Sequence, residues 1–111
     1  GWLCQSEYEW AQHKVIGTDA GLTPEEIEQI KEGPEGDWNT LEQLVIKATD
    51  ELHHEKRISE NTWKSLSGHW NEKQLMDLVF AVGQYTLVSM ALRTFDVPLD
   101  DFLTGWDPSE A

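Results

Sequence analysis

The chain has one cysteine, Cys4, which excludes an internal disulfide framework and suits a reducing compartment, so a cytoplasmic location is expected. Basic residues are also scarce. Eight Lys and Arg stand against 21 Asp and Glu, a formal net charge of -13. Charge of that sign repels phosphate backbones and anionic headgroups, so neither nucleic acid nor a membrane surface is expected as a partner. No stretch alternates apolar and polar residues at period two, and no Asn-Gly or Asp-Gly turn separates apolar runs. β-Hairpins and sheets are thereby disfavoured. A phosphate-cradling glycine loop, a dinucleotide fingerprint and zinc-ligand spacing are all lacking, so the expected site uses no cofactor and no metal. No basic segment followed by an apolar one opens the chain, so no secretory signal is read from it. The longest apolar stretch, Leu75 to Leu92, is interrupted by Asp77 and Gln84 and flanked by Lys73 and Arg93. A buried helix is expected there rather than a membrane span.

What is present is helical punctuation. Residues 2 to 20 carry helical spacing and end at Gly21, suited to a left-handed cap. Thr23-Pro24-Glu25-Glu26 combines an N-cap hydroxyl, proline at the first helical position and a glutamate three residues on, predicting a short helix from Pro24 to about Glu32. After the breaker Gly33-Pro34-Glu35-Gly36-Asp37, Asn39 and Glu42 form a capping box for a helix over roughly 40 to 56. Ser59 is expected to cap a short helix ending near Gly68, with His69 in the following loop, and Asn71 with Gln74 to start a last helix reaching about Thr94. The fold class is therefore all-α, one domain of 111 residues, with an acidic tail from Asp100 expected to be mobile in part. The last helix is apolar on nearly every side, more than a small monomer covers, so a homo-oligomer is expected.

Chemistry concentrates on the first helix. At 3.6 residues per turn, Ser6, Glu9 and His13 fall within an arc of about 60°. A carboxylate one turn before an imidazole can fix the ring's tautomer and stabilise its charged form, the arrangement that acid-base catalysis uses. The same pair also occurs as a solvated helix contact worth a few tenths of a kcal/mol. On a continuous helix Cys4 lies about 180° from His13 and cannot readily pair with it; a lone cysteine on an apolar stripe behaves as a small buried hydrophobe. In the third helix, Asp50 and His54 offer only two metal ligands, which do not make a site, and His53 borders the apolar stripe as a pocket candidate. The six tryptophans lack helical spacing, and packing accounts for most of them.

The segment Trp2-Leu3-Cys4-Gln5-Ser6-Glu7-Tyr8-Glu9-Trp10-Ala11-Gln12-His13 resembles the Tyr-Glu-Trp-x-x-His segment of carboxymuconolactone decarboxylase-like proteins, in the alkylhydroperoxidase D-like superfamily. The resemblance continues through Ala20-Gly21-Leu22-Thr23, Asp50-Glu51-Leu52-His53 and Val82-Gly83-Gln84-Tyr85-Thr86 to Phe95. It implies an alkylhydroperoxidase D-like helical domain, oligomeric, with Glu9 and His13 catalytic and with Ser6, Tyr8, Trp10, His53 and Tyr85 bordering the substrate. The implied activity is that of a lyase taking a small carboxylated lactone or oxo-acid. In the thiol peroxidase branch a Cys-x-x-Cys pair stands where Ser6 and Glu9 stand here, so peroxiredoxin-like activity would fall to Cys4 with an outside thiol. The family pattern also carries a helical segment upstream of these residues, bringing a further glutamate; a partner chain is one source for it. A non-catalytic assembly module is the third reading.

Overall fold

The computed structural model describes residues 1–106, and every regular element among them is helical. The chain is all-α. Five α-helices follow one another: α1 (Glu7–Asp19), α2 (Pro24–Gln29), α3 (Thr40–Glu55), α4 (Glu60–Ser67) and α5 (Glu72–Thr94), with a 3₁₀ segment, Ile30–Glu35, after α2.

Capping side chains set most of these boundaries. Thr23 and Glu26 exchange side-chain to backbone hydrogen bonds at 3.1 and 3.0 Å, Asn39 and Glu42 do so at 2.8 and 3.2 Å, and Asn71 and Gln74 at 2.9 Å each way. Each pair satisfies two of the N–H groups that a helix start leaves without intrahelical partners. Two boundaries differ from expectation. The second helix stops at Gln29, because the chain tightens into the 3₁₀ turn and Gly33 takes φ 68°, a left-handed value. The first helix begins at Glu7 rather than near Trp2, since Gln5 has φ 53° and Ser6 is extended. Trp2–Gln5 form a turn instead, closed by Gln5 N–H donating to the Trp2 carbonyl at 3.1 Å.

The residues fall into two compact units, Gly1–Ile27 with the chain from Gln84 onward, and Glu28–Gly83. The second unit has a conventional apolar core. Ala48 from α3, Ile58 from the α3–α4 connection, Leu66 from α4 and Leu75 from α5 are buried, with Leu41, Leu44, Val45, Leu52, Trp70, Leu78 and Val79 against them. Each large aliphatic side chain buried in this way contributes about 1.5–3 kcal/mol. In the first unit, Trp10 and Ala11 of α1 are buried, and the Trp2 ring bridges Trp10 and Trp106 at centroid distances of 5.7 Å each. That cluster joins three tryptophans with no common sequence spacing. Part of the acidic tail is held in place: Asp100 accepts hydrogen bonds from Tyr8 and Gln12, and Leu103 is buried. The remainder of that tail, residues 107–111, lies outside the described residues.

Helix α5 is largely uncovered within the chain. Only 11 % of its most apolar 18-residue window is buried, and Met76, Phe80, Leu87 and Met90 are at least half exposed. One stripe of the helix packs inward, and a chain this short has too little surface to cover the others. By length and composition α5 is also sufficient to cross a bilayer, with a mean hydropathy of 1.5.

Candidate active site

Ser6 sets the start of α1. Its Oγ accepts from the Glu9 N–H at 3.4 Å, and its side chain is buried. Capping at this position turns Glu9 and His13 onto one face, one helical turn apart. The Glu9 carboxylate is 7 % exposed and the His13 ring 40 %. His13 Nδ1 lies 3.0 Å from the Glu9 main-chain carbonyl and 3.1 Å from Glu9 Oε2. Two acceptor oxygens beside one ring nitrogen place the proton on Nδ1. The single hydrogen it carries is aligned on the carbonyl. Glu9 Oε2 is thus close to the ring yet has no hydrogen-bond partner among the described residues.

Nε2, the opposite ring nitrogen, is then the one able to exchange a proton with a bound molecule. Tyr85, from α5, holds the ring edge-on at a centroid distance of 4.6 Å and an interplanar angle of 83°. Glu9, His13 and Tyr85 thus form a buried carboxylate, an oriented imidazole and an aromatic wall within one unit.

The other predicted residues have different surroundings. The Tyr8 hydroxyl donates to Asp100 Oδ2 at 2.8 Å, and Gln12 Nε2 donates to both of those oxygens at 3.2 Å. Tyr8 and Ser6 line an open cleft of about 350 Å³ with Arg93, Asp96 and Val97, which neither Glu9 nor His13 lines. Trp10 is packed in the tryptophan cluster. Cys4, half-buried, lies in the turn before α1, so the helical angle separating it from His13 does not apply; its carbonyl accepts from Arg93 at 3.2 Å.

His53 belongs to the second unit, edge-on to His54 at 4.9 Å. Burial, with the like charges of His54 and Lys56, holds His53 below the usual histidine range, while burial raises Asp50 against the opposing pull of His54 and His53. Among the described residues no group of three His, Cys, Asp or Glu side chains is placed to hold a metal ion.

Asp100 and Arg93 were not singled out by sequence reasoning. They act across separations of 92 and 89 residues, which no local spacing marks. No family model matches the chain, and neither a curated protein nor a solved structure does.

Proposed function

We propose that the chain is an alkylhydroperoxidase D-like, carboxymuconolactone decarboxylase-like lyase that acts without a cofactor on a small carboxylated lactone or oxo-acid. The observation that carries this reading is the buried Glu9 carboxylate, whose Oε2 lies 3.1 Å from His13 Nδ1 and has no hydrogen-bond partner among the described residues. Leaving a buried carboxylate oxygen without a hydrogen bond costs roughly 1–3 kcal/mol, a cost that acid-base work at the neighbouring ring explains and packing does not. In the proposed reaction the bond between the substrate's carboxylate carbon and its neighbour breaks. The electron pair moves into the adjacent carbonyl system as carbon dioxide leaves, and Nε2 of the charged ring delivers a proton to the resulting enolate carbon. Water returns that proton to the ring. Glu9 orients the ring and stabilises its charged form.

The broad exposed apolar surface of α5 supports self-association, and a second copy is the proposed source of the walls that a half-exposed His13 still needs.

The test is carbon dioxide release from a panel of lactone acids. His13→Ala and Glu9→Gln are each expected to cut turnover by about 10²–10⁴-fold with the circular dichroism spectrum unchanged. Wild-type rates in both variants, or decarboxylation by neither wild type nor variants with hydroperoxide reduction lost in Cys4→Ser, would defeat the lyase reading.

A further inference from the structure

The second unit carries a cleft that shares no residue with the Glu9–His13 pair. It is open and of about 560 Å³. Its walls are Leu52 from α3, Ile58 from the connection, Trp63 from α4 and Val79 from α5, and three charged residues, Lys56, Arg57 and Glu60, stand around them. An apolar floor with a few polar groups at the rim is the usual form of a small-molecule site.

The rim is what makes the cleft specific. The whole chain has eight basic residues against 21 acidic ones, and two of the eight are adjacent here. Lys56 caps α3 in the left-handed conformation, φ 63°, a backbone state that glycine or asparagine usually fills. Its ammonium donates to the His53 carbonyl, which ties it to the end of α3. Arg57 is different: it is exposed and makes no hydrogen bond or ion pair among the described residues, in a protein with an excess of carboxylates. Trp63 is 39 % exposed and its indole N–H is likewise without a partner among those residues. A planar guanidinium donor, an indole N–H and a ring face beside aliphatic walls suit a ligand that is flat and apolar at one end and anionic at the other.

We propose that this cleft binds a small aromatic carboxylate, its ring on Trp63 and the Leu52, Ile58 and Val79 side chains and its carboxylate on Arg57. Glu60, the one acid at the rim, disfavours a second negative charge on the ligand, so a monoanion is preferred over a dianion.

Phenylacetate is the probe, titrated into the full chain labelled with nitrogen-15, with the indole signal of Trp63 assigned by its loss in Trp63→Phe. A saturable shift of that signal is expected at millimolar concentration or below. Phenylacetamide, neutral and of the same shape, is expected to bind about tenfold more weakly, a difference typical of losing a charge-assisted hydrogen bond. Arg57→Gln is expected to weaken phenylacetate by a similar factor and leave phenylacetamide unchanged, with the melting temperature unaltered. Failure of the Trp63 signal to move, equal binding of acid and amide, or wild-type phenylacetate binding by Arg57→Gln would each overturn the proposal. Because His13→Ala leaves every residue of the cleft intact, that variant is expected to bind phenylacetate as the wild type does, which separates this result from the fate of the lyase reading.

Discussion

The two compact units treat their buried polar groups differently. In the second unit the one buried hydroxyl, Thr62, is fully engaged: it donates to Glu51 Oε2 at 2.7 Å and accepts from Ser59 at 3.0 Å. In the first unit Glu9 Oε2 and Ser89 Oγ are buried with no hydrogen-bond partner among the described residues. The second unit also has one such atom, Gln29 Nε2, at the end of α2 and outside the Ala48–Leu66–Leu75 cluster. An ordinary core with satisfied polar groups is what stability selects. An unsatisfied carboxylate beside an imidazole costs stability and is retained where chemistry needs it. The second unit thus has a core whose polar group is satisfied, and the proposed chemistry lies on α1 in the first.

The strongest way to break that division is to empty the core of the second unit. Leu66 is fully buried, and Leu66→Ala is expected to cost about 2–5 kcal/mol through lost transfer energy and the cavity left behind. Urea unfolding followed by circular dichroism measures it. A loss below 1 kcal/mol would mean that this core is not what holds the unit together.

Removing the polar clasp of the same unit is expected to have a smaller effect. Glu51 accepts from the Ser59 N–H at 2.8 Å and from the hydroxyls of Ser59 and Thr62, so it ties α3 to the start of α4. Glu51→Ala leaves the buried Thr62 hydroxyl without its acceptor, for an expected loss of about 1–2 kcal/mol by the same urea measurement.

How much of this was legible beforehand depends on the range of the interactions involved. The starts of α2, α3, α4 and α5 could be read from Thr23, Asn39, Ser59 and Asn71, because a cap is a contact between residues three apart. Ser6 followed by Glu9 belongs to the same pattern, and reading it as a cap would have started α1 at Glu7. Helical spacing through Trp2 to Gln5 concealed it. The Glu9–His13 contact was legible for the same local reason. The Tyr8–Asp100 bond, the Trp2–Trp10–Trp106 cluster and the cleft at Trp63 were not, since each depends on residues brought together by folding rather than by spacing. The apolar faces of α5 were legible as more than one short chain covers, but composition alone does not say what covers them.

The first unit makes the opposite prediction from the second. If the Glu9 carboxylate is held at a cost to stability, Glu9→Met should remove that cost while the His13 Nδ1–H keeps its bond to the residue 9 carbonyl. An increase of about 1 kcal/mol in unfolding free energy is expected together with loss of turnover. A clear destabilisation instead would show that Glu9 is a structural group, and the contrast between the units would fail.

The smallest expected effect is a dependence on pH, and its sign discriminates. Glu51 is partly desolvated, which alone would raise its carboxyl, but hydrogen bonds from the Ser59 N–H and from the Thr62 and Ser59 hydroxyls outweigh this and hold it below its ordinary value of 4.5. A carboxyl lowered by folding is ionised more readily in the native chain than in the unfolded one. Its contribution is therefore fully present above pH 4.5 and is lost as pH falls through the lower, native value. Because Glu51 is largely open to solvent, screening keeps the effect to a fraction of a kcal/mol. Urea midpoints measured between about pH 6 and pH 3 should fall more steeply for the wild type than for Glu51→Gln, whose amide does not titrate. Parallel curves would mean that the Ser59–Thr62–Glu51 clasp is formed as well by a neutral acceptor as by a charged one. In that case the clasp stabilises residues 28–83 through its hydrogen bonds rather than through the charge of Glu51.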